Sequence, residues 1–146
     1  ISLLAGPSMR GKKFTMMGWR IDPAGLTKEV LRVAKRYGKP MMITENGIAT
    51  RNDAKREWYM RNHIAAVGDA IRQGADVRGY FAWSLADNYE WHYGYKATFG
   101  LSRMNPETKV RELKPSAHTF AELIRSHPTV ASVTGVKPQK NFAPDR

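Results

Sequence analysis

A carboxylate at the end of an apolar run stands where barrel and doubly wound enzymes place catalytic groups. Glu45 occupies such a position, directly after Pro40-Met41-Met42-Ile43-Thr44. Asn46 beside it offers an amide that can bind a hydroxyl. Asn46-Gly47 also reads as a simple turn with an exposed Glu, since Asn-Gly is a common hairpin signal. The next regular element is a helix and not an antiparallel strand, and the residues alone leave both readings open. A second stretch is denser: Trp83, Asp87, Asn88, Tyr89, Glu90, Trp91, Tyr93 and Tyr95 fall within residues 83–95. Flat aromatic faces beside carboxylates and amides suit a sugar, whose C–H face packs on indole while its hydroxyls take polar partners. An aromatic core cluster is the competing reading, and the polar residues that interrupt the run weaken it.

These groups need elements to carry them. Asp22-Pro23 predicts a helix start, an Asp N-cap with Pro at the first helical position. Leu26, Val30, Val33 and Tyr37 follow at helical spacing, and Gly38 ends the run. Residues 40–44, apolar on both faces, read as a strand buried on both sides. Residues 54–73 predict a second helix with Met60, Ile64, Val67 and Ile71 on one face, closed by Gly74. Val77 to Leu85 reads as a second strand, which puts the aromatic segment and Glu45 on one rim. Phe99–Met104 and Lys109–Leu113 flank Asn105-Pro106-Glu107-Thr108 as a small hairpin. A third helix starts near Pro115 and carries Ala117, Phe120, Ala121 and Ile124.

Helix, strand, helix, strand, long loop, helix is the α/β alternation that builds parallel sheets. Two parallel strands joined by one crossover helix cover neither both edges nor both faces. The segment is therefore expected to need further strands, and a closed barrel supplies them. Residues 1–127 read as one such segment. Residues 128–146, with Pro128, Pro138 and Pro144 and no periodicity, read as an extended tail, either a subunit contact in a homo-oligomer or a mobile end.

The chain has 146 residues, no cysteine and a net charge of +11. Disulfides and thiolate metal sites are thereby excluded, and a reducing, cytoplasmic setting is the expectation. No apolar run reaches the roughly 18–20 residues of a membrane helix. The start at Ile1, without Met or a signal-peptide pattern, leads us to expect upstream sequence. The basic residues are scattered over the chain, where a nucleic-acid stripe would concentrate them, so no nucleic-acid partner is expected. Gly6-Pro7-Ser8-Met9-Arg10-Gly11-Lys12-Lys13 nearly spells a phosphate loop, but Lys13 cannot ligate Mg²⁺ as Ser or Thr would. His63, His92, His118 and His127 show no metal-ligand spacing, and neither metal nor cofactor is expected. His63 reads as a hydrogen-bonded packing residue, and His92 as a group reaching the leaving-group side. Arg56 either pairs with a carboxylate beneath the site or is a solvated helix charge.

Ile43-Thr44-Glu45-Asn46-Gly47 resembles the nucleophile motif of glycoside hydrolase family 1. Trp83-Ser84-Leu85-Ala86-Asp87-Asn88-Tyr89-Glu90-Trp91 resembles its sugar-binding loop, in the form of archaeal-type β-glycosidases. Met17-Gly18-Trp19, Asp22-Pro23, Gly25-Leu26, Gly79-Tyr80 and Phe99-Gly100-Leu101 also fit, in family order from about Thr15 to Ile124. The resemblance implies a (β/α)8 barrel in which these are the seventh and eighth strands. It implies Glu45 as nucleophile of a retaining hydrolysis of β-glucosides or β-galactosides, and Trp83 as the platform under the glycone. It implies Glu90 and Trp91 at the hydroxyls of carbons 4 and 6, and Phe99 in the same pocket. Thr98 stands where many relatives carry Arg, which puts the support of that loop in question. The residues alone would pair Glu45 with Glu90 or Asp87. By resemblance the acid/base belongs instead to an Asn-Glu-Pro motif, and that tripeptide is absent here. The chain is thus expected to need the N-terminal part of the barrel, in the same gene product or as a separate chain, and to be inactive alone. The rival expectation is a non-catalytic carbohydrate-binding or interaction fragment.

Overall fold

The computed structural model describes residues 14–127 and 134–138. The phosphate-loop-like segment Gly6–Lys13 and most of the tail lie outside the described residues.

Helix α1 spans Pro23–Tyr37, and the Asp22 side chain caps it by accepting from the Gly25 amide at 3.0 Å. Gly38 ends it in the left-handed region, φ 58°, where a side chain would be strained. Strand β1 is Met41–Asn46 and strand β2 is Val77–Ala82. Helix α2, Asp53–Arg72, crosses between them, with the Asn52 side chain accepting from the Lys55 amide. After a long loop, β3 (Ser102–Met104) and β4 (Arg111–Leu113) form the antiparallel hairpin, and α3 spans Pro115–Ser126. Strand β2 is shorter than the expected Val77–Leu85. After Trp83, whose amide still bonds to Asn46, the chain turns to pair with the Phe99–Ser102 segment instead.

The two long strands pair in parallel, as a single crossover helix requires. Their helix-facing residues build one core: Val30 from α1, Val67 and Ala70 from α2, and Val77 from β2, with Met41 and Ile43 packed against it. A second cluster joins Met60, Ile64 and Ala65 of α2 to Leu101 and to Leu123 of α3. Helix α2 is therefore buried on several sides, which explains why its apolar stripe is broad.

Three expectations need correction. The β1 run is not buried on both faces: Met42 and Phe81 are each 53% exposed. Among the described residues, all the helices that touch this sheet pack on its other face. In α3, Leu123 is buried whereas Ile124 is exposed, because the helix turns Ser116, Thr119 and Leu123 inward. The tail is not wholly extended or free: Val136 is buried in the Met60–Leu123 cluster.

His63 fits its expectation as a packing residue. Its Nδ1 donates to the Tyr59 carbonyl at 2.8 Å, and its ring stacks on Tyr59 at 3.7 Å. Burial pushes its pKa down to about 4, outweighing the opposing effects of the Tyr59 carbonyl and of Asp22. In the unfolded chain the imidazole protonates near pH 6.5, so the unfolded state binds more protons between there and about 4. Stability falls across that window as pH drops, by up to about 2–3 kcal/mol from this residue. His63→Phe, which keeps a ring on Tyr59, should shrink the difference in urea midpoint between neutral and mildly acidic pH. An unchanged difference would show that His63 is not the sensor.

Candidate active site

Alternation along β1 sets the direction of Glu45. Met41 and Ile43 face the helices, so strict alternation would turn Glu45 to the helices as well. The register prevents this. Ile43 lies opposite Tyr80 and Asn46 opposite Ala82, so β1 spends three steps where β2 spends two. The extra residue is a bulge, and it reverses the parity of the residues after it. Thr44 and Glu45 are consecutively exposed, and Asn46 takes the helix side. There its Oδ1 accepts from the Tyr80 hydroxyl at 2.8 Å, and its side chain also bonds to the Tyr59 hydroxyl. Burial pushes Tyr59 up to about 12 and Tyr80 still higher, so both phenols remain neutral. Glu45 is left on the open face, the side of Met42 and Phe81.

The rim loop begins where the two strands end. The Trp83 amide donates to the Asn46 carbonyl at 2.9 Å, and the Trp83–Ser84 peptide is cis. Trp83 is 37% exposed. Ser84, Leu85 and Asp87 then lace to Phe99, Leu101 and Ser102 through backbone bonds, which closes the loop at its base. Asp87 is turned inward: its Oδ1 accepts from the Gly100 amide at 2.8 Å and from Lys114 Nζ at 2.9 Å. This geometry gives Asp87 a supporting role and removes it as a partner for Glu45.

Glu90 and Trp91 sit on the outer arch of the loop. The Glu90 amide donates to the Gly94 carbonyl at 2.8 Å, and Trp91–Tyr93 form a single 3-10 turn. Trp91 is 79% exposed, and His92 lies against Tyr93 at 4.0 Å between ring centres. Phe99 is 4% exposed and packs with Ala49 and Ala97 beneath the rim, 6.2 Å from the Trp19 ring. A cavity of about 10 Å³ borders Asn46, Trp83 and Phe99. The structure thus gathers Glu45, Asn46, Trp83 and Phe99 at one strand end, while Glu90 and Trp91 stand apart on the arch.

Sequence reasoning did not find Tyr59 and Tyr80, which orient Asn46, or the inward turn of Asp87. Gly79-Tyr80 fits the family resemblance without revealing this contact, and Tyr59 shows only a polar atom on an otherwise apolar helix face. Arg56 is resolved in favour of a carboxylate partner: it is 4% exposed and paired with Asp53. Thr98 supports its loop through its own hydroxyl, which donates to the Thr50 carbonyl at 2.9 Å. On the outer side of Arg56, a cleft of about 400 Å³ is lined by residues including Arg51, Arg103 and Glu112, and by none of the rim aromatics. Among the described residues, no cluster of three or more His, Asp or Glu is placed to hold a metal, and no helix is long and apolar enough to cross a membrane.

Residues 8–129 match the sequence model of glycosyl hydrolase family 1. A β-galactosidase of Sulfolobus acidocaldarius is 44% identical over 110 residues, which cover 75% of this chain and 22% of that protein. A bifunctional β-D-glucosidase/β-D-fucosidase of Bifidobacterium breve is 41% identical over 127 residues, covering 77% of this chain and 28% of that one. Among solved structures, the family 1 β-glucosidase of Thermotoga maritima in complex with isofagomine lactam superposes with a TM-score of 0.74 at 34% identity, over 77% of this chain and 28% of that one. Fpglu1 from Fervidobacterium pennivoraus gives a TM-score of 0.77 at 37% identity, over 88% and 28%. The chain spans about a quarter of the length of these proteins.

Gly47 is where the rim is tightest. A Cβ there would lie 1.6 Å from the Trp83 carbonyl oxygen, a backbone atom that cannot swing aside. Gly47→Ala should therefore force the end of β1 away from Trp83 and cost about 3 kcal/mol or more. Chemical denaturation checks this, and a loss under about 1 kcal/mol would contradict the packing described.

Proposed function

Because the chain belongs to glycosyl hydrolase family 1, we propose that it forms the nucleophile-bearing part of a retaining β-glycosidase, with Glu45 as the nucleophile. The observation that supports this reading is the register irregularity in β1, with Glu45 exposed at the strand end where the Trp83 amide bonds to the Asn46 carbonyl. In this reading β1 and β2 are the seventh and eighth strands of a (β/α)8 barrel. The uncovered face with Met42 and Phe81 looks into the barrel, and the remaining strands come from the rest of the polypeptide or from a separate chain.

Retaining hydrolysis needs two carboxyl groups about 5–5.5 Å apart. The ionised Glu45 attacks the anomeric carbon, and the bond to the leaving oxygen breaks as the second carboxyl group protonates that oxygen. The resulting ester between Glu45 and the sugar is then cleaved by water, which the second group, now a carboxylate, deprotonates. That second group lies outside this chain. Trp83 supports the apolar face of the glycone, and Glu90 and Trp91 close over it from the arch to meet its outer hydroxyls. Phe99 backs the pocket, and Asn46, held on the helix side by Tyr80 and Tyr59, fixes the strand end that carries Glu45. The substrates are β-glucosides, β-galactosides or related small glycosides, in keeping with the names of the relatives, and no cofactor takes part.

The test is a full-length chimera in which this chain replaces the matching segment of the Sulfolobus acidocaldarius β-galactosidase. It should hydrolyse an aryl β-glucoside or β-galactoside. Glu45→Gln should lower kcat/KM by about four orders of magnitude or more, as loss of a covalent catalyst does. Glu90→Gln, which removes a charged hydrogen bond to the sugar, should cost about 10–100-fold. Turnover kept in Glu45→Gln and abolished in Glu90→Gln would overturn the assignment. The separate 146-residue chain should show no enzymatic turnover, and a non-catalytic sugar binder would leave the chimera inactive as well.

A further inference from the structure

A charged side chain is rarely buried unless the fold needs it. Arg56 is 4% exposed near the start of α2, and its hydrogen bonds reach two separate loops. Nη2 donates to the Thr50 carbonyl at 2.6 Å and to the Thr98 carbonyl at 2.8 Å, while Nη1 pairs with Asp53. Thr50 lies on the segment that leaves β1 after Glu45, and Thr98 ends the loop that carries Trp83, Glu90 and Trp91. One guanidinium nitrogen thus clamps the two rim segments together. The Thr50 amide donates to the Thr98 carbonyl at 3.1 Å and completes the junction.

Two details show what the clamp is for. Among the described residues Arg56 Nε is buried and makes no hydrogen bond, so the donors that Arg56 uses are those at the end of the guanidinium fork. The fork is turned so that its far end reaches both carbonyls. Arg56 also borders the small cavity shared with Asn46, Trp83 and Phe99, so its position is felt at the base of the rim. Asp53 passes the restraint on: its carboxylate accepts from the amide and the hydroxyl of Ser116, each at 2.8 Å, at the start of α3.

We infer that Arg56 is a positioning residue that fixes the glycone-binding loop relative to the strand bearing Glu45. It acts through Thr50 and Thr98 and touches no substrate. The inference rests on the proposal that Glu45 and the 83–99 loop form one sugar site. Because β1 is held by its pairing with β2, loss of the clamp should loosen the sugar-binding loop more than the nucleophile.

Amide hydrogen exchange on the full 146-residue chain tests the clamp without any activity. In Arg56→Met, protection at Ser84, Leu101 and Ser102 should fall about tenfold or more, while Val30 and Val67 change less than about twofold. A uniform loss, no loss, a wild-type chain without protection at those rim amides, or unfolding of both Arg56→Met and Arg56→Lys would overturn the inference. In the chimera, Arg56→Met should raise KM about tenfold with kcat changed less than about threefold, and Arg56→Lys should fall between it and wild type. A loss confined to kcat, as from fewer folded molecules, would also overturn it. A chimera inactive with Arg56 intact would count against the proposed function, and the exchange result would still decide the clamp.

Discussion

In an extended strand, side chains alternate, so the face on which a catalytic group emerges is found by counting back to the core. Met41 and Ile43 pack on the helices, and the count from them points Glu45 the wrong way. One extra residue between Ile43 and Asn46 changes the answer. Everything proposed about the site depends on that reversal. It frees Glu45 to the open face and sends Asn46 to Tyr80 and Tyr59, two neutral phenols whose bonds keep the strand end from relaxing. Gly47 then lets the Trp83 carbonyl come close to the end of β1, which draws the start of the rim loop against the strand that carries Glu45.

The rim is held from beneath by charge. Arg56 with Asp53, and Lys114 with Asp87, are two largely buried ion pairs whose remaining hydrogen-bonding capacity goes mainly to backbone carbonyls and amides of the loops. Burial lowers the pKa of Lys114, and its hydrogen bond to Asp87 opposes that effect. Such pairs add little net stability compared with apolar packing, but they are costly to break singly, so they hold the loops in one arrangement. A loop of nearly twenty residues between β2 and the hairpin thereby becomes a supported platform with one projecting arch.

Much of the fold is legible because its signals are local. Asp22-Pro23, Gly38 and the Asn105–Thr108 turn each act through caps or backbone angles that a short window of sequence contains. The helices declare themselves by period. The features that escape depend on neighbours distant in the chain. The bulge is a property of two strands in register, and no residue type announces it. The burial of Val136 and the inward turn of Asp87 depend on Leu123 and Lys114, which lie many residues away. Period alone assigns Ile124 to the apolar face, yet the helix turns Leu123 inward instead. For the site, the motif around Glu45 and the run from Trp83 to Trp91 are visible at once, while the groups that orient them are not.

The proposed chemistry requires that Glu45 be the carboxylate that attacks the sugar. A 2-deoxy-2-fluoro β-glycoside with a good leaving group would trap that ester in the chimera, and peptide mass mapping would locate it. The fluorosugar should be found on the peptide containing Ile43-Thr44-Glu45-Asn46-Gly47, at Glu45. Its appearance on Glu90, on Asp87 or on a carboxylate outside this chain would contradict the assignment.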